Sequence, residues 1–552
     1  MNGLKAYGGG NVVFDGALGT PSYLSSLVVT NATLSFTNGY ARLCAASASV
    51  SSDAALVIRP NGANHYLETS ISQSLAPGSV KVAASSTVPS ARNVVYFAPI
   101  GVDPDLSAFD TSEMPAGFTL AKTNNVVFMT DGTPVVHDVS AASSSAYYWT
   151  GTAGDSLNLA DNWTPAAPDN SSKSKSVYFD GWSNLAARIT GTLRVPSLYV
   201  KASCGPMKIT GSTYIRFNSA LGVSSSSSYP FIFDCKVGKT SSDGVSTGDF
   251  KAESIGSGYI AFVGGPNTSD KNKILEGFGY AGDIRVNGTW SLQNVYPFSA
   301  SSSLSVASHL TLLPGANFSL SAQSAVQSLK GYYVVSEGAT FSVDGTQFAF
   351  SSENTHFVDG SMAVSCPFSA TALQSFRGRG TLTLASVSDC AGGVELGGSV
   401  TLVPGEWGEA PLVCVDTPTI APASDWTFAP GGDVSLEIAV RSVLTLETGA
   451  NDVVLSAPIS GEGSLVKKGA GRLVLNAPGN VLDSLVVEGG ELTFGPALRD
   501  AMADGWTTIL TVRTLDGELS VPEGFNVAVV RNLDGSYTYS GRRPKGLAII
   551  IN

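Results

Sequence analysis

Gly244-Val-Ser246-Thr-Gly248 has the spacing of a nucleophile elbow, where a strained strand-to-helix turn thrusts a serine hydroxyl out for acyl transfer. That chemistry needs a strand before the serine and a helix after it. Here Gly238-Lys-Thr-Ser-Ser-Asp precedes, and Asp249-Phe-Lys-Ala-Glu-Ser runs into glycine, so the match reads as a turn. Gly238-Lys239-Thr240 ends like a phosphate loop, but the glycine required five places earlier is Phe233, and the motif fails. His65, His137, His309 and His356 stand alone in the sequence, without metal-ligand spacing. Two acidic pairs, Asp103 with Asp105 and Glu406 with Glu409, are of the type a glycosidase uses, if a cleft sets their carboxyl groups at suitable separations. Pro104 places the first pair in a loop. Trp407 lies between Gly405 and Gly408 and is either an exposed stacking platform for sugar or a packed cap.

Cys366, Cys390 and Cys414 are separated by 24 residues and again by 24. If 24 residues make one coil of a repeating structure, the three stack as a ladder at about 4.8 Å, the spacing between strands. Otherwise the spacing is coincidence. Such a ladder would be a packing device, because collinear thiols cannot surround a metal ion tetrahedrally. No catalytic, cofactor-binding or metal-binding residue is assigned from these patterns, and no cofactor is expected.

Elements that could position such groups are short. Runs of four to seven Val, Leu, Ile and Phe, as in Thr381-Leu-Thr-Leu384 and Ser399-Val-Thr-Leu-Val403, are separated by Gly, Asn, Asp, Ser or Pro, and helical periodicity is nearly absent. Asp-Gly recurs at 15–16, 131–132, 344–345, 359–360, 504–505, 516–517 and 534–535, a dipeptide suited to tight turns. Asn287-Gly-Thr289 is a glycosylation triplet by pattern only. The fold class predicted is all-β, a parallel solenoid with terminal β-strand caps, in coils of about 20–25 residues. Stacked coils fill both edges of every strand except at the ends.

The chain has 552 residues, 60 of them glycine, with 43% hydrophobic, 14% charged and a net charge of −12. That hydrophobic content supports a packed interior. Thinly spread Lys and Arg argue against nucleic acid and against anionic membrane surfaces. No apolar run approaches the ~20 residues of a membrane helix. Neither a signal peptide nor a terminal series of amphipathic barrel strands is visible, so membrane insertion by this chain is not expected. The N-terminus opens within a strand-and-turn pattern, as a piece of a longer protein or a mature chain would. Six cysteines without a CxxC pair are too few for a disulfide scaffold.

Pro115-Ala-Gly-Phe through Asp131-Gly resembles Pro522-Glu-Gly-Phe through Asp534-Gly, and each reads as a closing strand pair. The Ser-rich stretch 140–145 reads as a linker. The predicted organisation is a truncated solenoid unit over 1–145 and a complete one over 146–552. The second divides into a start segment at 146–182, coils at 183–495 and closing strands at 496–552. Trp149 and Trp163 are expected to pack in the start segment.

Gly461, Gly463, Leu465, Lys468, Gly469, Gly471, Leu473, Leu475, Asn480, Leu485, Val487, Gly490 and Leu492 follow the pattern of the autotransporter-associated β-strand repeat, which this stretch resembles. A looser copy runs from Gly256 through Trp290, and Leu27 to Phe36 forms a third. Tyr148-Trp-Thr-Gly151, Asn162-Trp163 and Val177-Tyr-Phe-Asp-Gly181 resemble the start segment of large secreted bacterial repeat proteins, and Lys545 to Asn552 resembles their ends. The resemblance implies a right-handed parallel β-helix outside the cell, acting as passenger, adhesin or surface fibre. The function expected is therefore a non-catalytic structural or adhesive display protein, extracellular or on the cell surface, with host or matrix glycans or other surface proteins as partners. The competing reading is a carbohydrate-active β-helix enzyme, a polysaccharide lyase or glycoside hydrolase, or a sugar-binding module.

Overall fold

Wherever apolar residues recur at every second position, their side chains share one face of a pleated strand and can be buried together. The computed structural model describes residues 3–14, 18–36, 41–60, 65–85, 92–133, 146–166, 168, 176–182, 184–195, 197–217, 223–225, 227–239, 258–264, 283–293, 309–322, 327–329, 331–350, 352–388, 390–430, 434–503 and 505–544. Those residues form parallel strands stacked as a β-solenoid, with one α-helix of six residues, Pro496–Ala501, among them. The linker at 140–145, His137, Ser246 and the tail from Lys545 lie outside the described residues. The chain divides into two units, residues 1–292 with 296–316, and residues 293–295 with 317–552.

In the first unit, Gly3–Tyr7, Leu18–Thr30, Ala41–Val50, His65–Leu75 and Val94–Phe97 pair in parallel along one sheet. The alternate strands Asn11–Phe14, Thr33–Phe36, Ala55–Ile58, Val80–Ala83 and Phe109–Glu113 form a second. Val12 pairs with Leu34, Leu34 with Leu56 and Leu56 with Val80, so equivalent residues recur at 22 or 24 positions. Leu27, Leu34, Leu43, Leu56, Leu67 and Val80 fill the space between the sheets. The hairpin Thr119–Thr123/Val126–Thr130 closes this solenoid, its second strand running antiparallel to Val94–Phe97.

A new sheet starts at Ala146–Trp149, which pairs antiparallel with Trp163–Thr164 and parallel with Ser176–Phe179. Trp149 and Trp163 are buried, with ring centroids 5.3 Å apart, as the sequence leads one to expect of a packed start segment. The strands Met207–Phe217, Phe231–Lys239, Tyr259–Phe262, Asp283–Val286 and His309–Leu312 follow in parallel.

In the second unit the strands Asn317–Ala322, Thr340–Gly345, Ser361–Ala370, Thr381–Val387, Thr401–Trp407, Thr419–Ile420, Val443–Glu447, Ser464–Lys468, Asn480–Val487 and Thr507–Asp516 stack in parallel. Coil length varies here. Ser361, Thr381 and Thr401 are spaced by 20 residues, Thr419 follows after 18 and Thr445 after 26. Tyr537–Arg542 then pairs antiparallel with Thr507–Asp516 and with Asn526–Arg531. This is the same closing device as in the first unit, and it supplies the expected terminal strand cap.

The repeat residues sit where coils touch. Leu465 stacks between Leu444 and Leu485, Leu473 between Val453 and Leu492, and Leu475 between Leu455 and Phe494. A Cβ on Gly471 would be driven into the carbonyl oxygen of Asn451 in the coil below. Gly471→Ala is accordingly expected to cost about 1–3 kcal/mol through overpacking, read as a lower urea midpoint. An unchanged midpoint would show that the coils separate easily at this corner.

Candidate functional site

The outward face of the large sheet in the second unit carries a column in register: Asn317, Thr340, Ser361, Thr381, Thr401, Thr419 and Thr445. The residues beside them on the inward face, Phe318, Phe341, Met362, Leu382, Leu402, Ile420 and Leu446, are buried. Alternation thus sets one hydroxyl or amide per coil, about 4.8 Å apart. Asn317, Thr340 and Ser361 are exposed and the four threonines after them half-buried. Beside this column Ser399 and Thr417 hydroxyls meet at 3.0 Å.

The inward column continues from Leu446 to Lys467, where an apolar residue is expected. Lys467 is fully buried, and its Nζ donates to the carbonyl oxygens of Gly469 and Gly489, both at 2.6 Å, and to Thr448 Oγ1 at 3.3 Å. Burial pushes its pKa down. Its neighbour Lys468, the lysine matched to the repeat pattern, is outward and pairs with Glu488 at 3.1 Å. The buried amine that reaches the coils on both sides is therefore one position from the lysine matched in the sequence.

A second polar cluster lies within the first unit. There the outer face of the N-terminal solenoid meets the strands Phe231–Lys239, Tyr259–Phe262 and Asp283–Val286. Phe97 and Tyr259 rings lie 6.4 Å apart, Phe128 and Trp182 5.0 Å, and Asn124 Nδ2 donates to Pro206 O at 2.6 Å. At the centre Arg285 donates to Glu68 Oε1 and to Asp283 Oδ2, the latter at 3.0 Å. Its guanidinium carbon stands 3.5 Å from the centre of the Tyr259 ring. The side chains of Arg285 and Glu68 are 5% and 10% exposed. Burial alone would lower the pKa of Arg285, but the two carboxylates outweigh it and hold the guanidinium charged. Burial, and then the negative charge of Glu68, push the Cys44 thiol well up. The neighbourhood favours a neutral, unreactive thiol.

The residues singled out for chemistry are mostly structural. Trp407 is 7% exposed, its Nε1 donates to Ala410 O at 2.9 Å, and it packs edge-on against Trp426 at 6.3 Å. The sugar-platform reading is corrected: with its face inside the coil stack it offers no stacking surface. The cysteine ladder is corrected too. Cys366 lies in the strand Ser361–Ala370 and Cys390 in the turn before Val394–Leu396. Cys414 lies in Leu412–Cys414, where its register partners are Leu396 and Ile438. Coils of 18–20 residues here mean that a 24-residue step advances around the coil instead of returning to the same place.

Asp105 caps a short turn by accepting from Ser107 N at 2.9 Å, and Asp103 holds Lys122 at 2.7 Å. The backbone and hydroxyl hydrogen bonds of Ser107 lower the Asp105 pKa. Asp131 and Asp534 accept from backbone N–H groups two residues on, as turn aspartates do. Glu406 and Glu409 are exposed. Asn287 accepts from Gly288 N and, through its carbonyl, from Trp290 Nε1. His356 is fully buried between the rings of Tyr333 and Phe376. Its Nδ1 accepts from Tyr333 N at 3.1 Å and its Nε2 faces Gln374 Oε1 at 3.1 Å, so the proton resides on Nε2. Burial lowers its pKa to about 4. His65, also buried, is lowered to about 4 by burial and then by Arg59, and His309 to about 3 by burial. Among the described residues no group of three or more His, Cys, Asp or Glu could hold a metal ion, and no helix is long and apolar enough to cross a membrane.

The fold and these sites define a parallel β-solenoid protein with polar side chains used as clamps between coils and solenoids. No family model, no curated protein and no solved structure matches the chain.

Proposed function

We propose that this chain is a non-catalytic structural solenoid of the cell exterior that displays its hydroxyl-rich sheet face to neutral, polyhydroxylated partners such as host or matrix glycans. The observation that carries this reading is the seven-position column from Asn317 to Thr445, uncharged throughout and held in register by the parallel strands. Aligned hydroxyls both donate and accept, so a column of them suits a repeating neutral surface better than a single charged ligand. The placement outside the cell is supported by the resemblance of Gly461 to Leu492 to secreted repeat proteins and by the sparse charge of the sequence.

The test is binding of the purified chain to immobilised neutral glycans. Thr381→Lys with Thr401→Lys is expected to weaken that binding roughly tenfold, with an unchanged circular dichroism spectrum. Undiminished binding, or release of sugar fragments from the glycan by the unaltered chain, would defeat the reading.

A further inference from the structure

Strand edges are where stacked sheets invite company, because an unpaired row of N–H and C=O groups is a template for another strand. The two closing hairpins treat their edges differently. In the first unit the outer strand Thr119–Thr123 carries Lys122, whose Nζ is tied to Asp103 Oδ2 at 2.7 Å and to Pro104 O at 2.9 Å. An edge lysine with an adjoining loop is a common way of blunting an edge. That hairpin is also covered, since Phe128 packs on Trp182 and Asn124 bonds to Pro206.

In the second unit the outer strand Asn526–Arg531 reads Asn-Val-Ala-Val-Val-Arg. It is the last strand of its sheet, paired only with Tyr537–Arg542 among the described residues. Val529 and Val530 are exposed at 52% and 58%, although neighbouring residues of a strand point to opposite faces. Both faces of this edge are therefore open and apolar, and no charge interrupts them before Arg531.

We propose that the Asn526–Arg531 edge pairs antiparallel with the same edge of a second copy of this chain. The sequence around the strand is self-complementary about Val527. In that two-fold register Val527 meets Val527, Phe525 meets Val529, and Arg531 of each copy lies beside the turn that carries Glu523 of the other. Glu523 and Arg531 are both exposed, and neither is engaged in an ion pair among the described residues. The two ends of the paired edge thus match in charge, and its middle matches in apolar surface. An isologous contact of this kind closes on itself as a dimer and does not propagate.

The experiment is sedimentation equilibrium of the full chain across about 1–100 µM, a range that spans ordinary dimer affinities. The unaltered chain is expected to dimerise. Glu523→Arg is expected to raise the dissociation constant roughly tenfold by setting like charges together, and adding Arg531→Glu to it should restore the original value. All six native cysteines are buried, so Val527→Cys should give an intermolecular disulfide on mild oxidation while Val530→Cys should not. A monomer throughout the range would overturn the proposal. So would a dimer indifferent to Glu523→Arg and to the charge swap, since its contact would then lie elsewhere.

Discussion

Replacing Arg285 with alanine is expected to lower the stability of the first unit by about 3–5 kcal/mol, the usual consequence of stripping one partner from a buried ion pair. The loss would leave Glu68 and Asp283 as two carboxylates facing an apolar seam and would remove the cation from the Tyr259 ring. Most of the cost is the desolvation of charges that no longer have a partner. Arg285→Lys should recover part of it at most, because an ammonium cannot donate in a planar fork while lying over an aromatic face. Glu68→Leu combined with Arg285→Met should be milder than Arg285→Ala, since well-packed apolar groups often replace a buried pair at little cost. Urea unfolding, followed by hydrogen exchange in Tyr66–Thr69 and Tyr259–Phe262, reads all three. A cost below about 1 kcal/mol for Arg285→Ala would place this pair with ordinary surface ion pairs and remove it as the clamp between the two solenoids.

Acid should weaken the second unit between pH 6.5 and 4. His356 has a folded pKa of about 4, whereas an unfolded chain returns it to about 6.5. The unfolded state therefore binds the extra proton first as pH falls, and stability declines through that window, by about 3 kcal/mol in all for this one group. Above pH 6.5 both states are neutral and the dependence disappears. The cause of the lowered pKa is burial; in addition, protonating Nδ1 would turn it into a donor facing the N–H of Tyr333, from which it now accepts. His356→Phe keeps a ring between Tyr333 and Phe376 while removing the titration. It should be less stable than the unaltered chain at pH 7, because two hydrogen bonds are lost, yet show a flatter decline from pH 6.5 to 4. Denaturation midpoints at pH 7, 5.5 and 4.5 decide it, and equal slopes in the two proteins would rule His356 out as the source.

Much of the architecture was legible in the sequence because its causes are local. Alternation in Thr381-Leu-Thr-Leu384 dictates an inward and an outward face whatever else the chain does. The glycines at 461, 463, 469, 471 and 490 mark corners where the preceding coil passes too close for a Cβ. The closing hairpins were visible as two similar Pro-x-Gly-Phe segments ending in Asp-Gly turns. What the sequence alone could not decide depends on counting around the coil. With steps of 18, 20 and 26 residues in one sheet, a fixed linear spacing lands at different points of the circumference. That variation separated the three cysteines and left Cys414 beside Leu396 and Ile438. Trp407 could be placed only by the packing of Trp426 and Phe428 against it. Which of two adjacent lysines turns inward was decided by the register of one strand, which set Lys467 in line with Leu446. Tertiary structure alone brought Glu68 and Arg285 together, 217 residues apart, because only the lateral packing of one solenoid on the other buries them face to face.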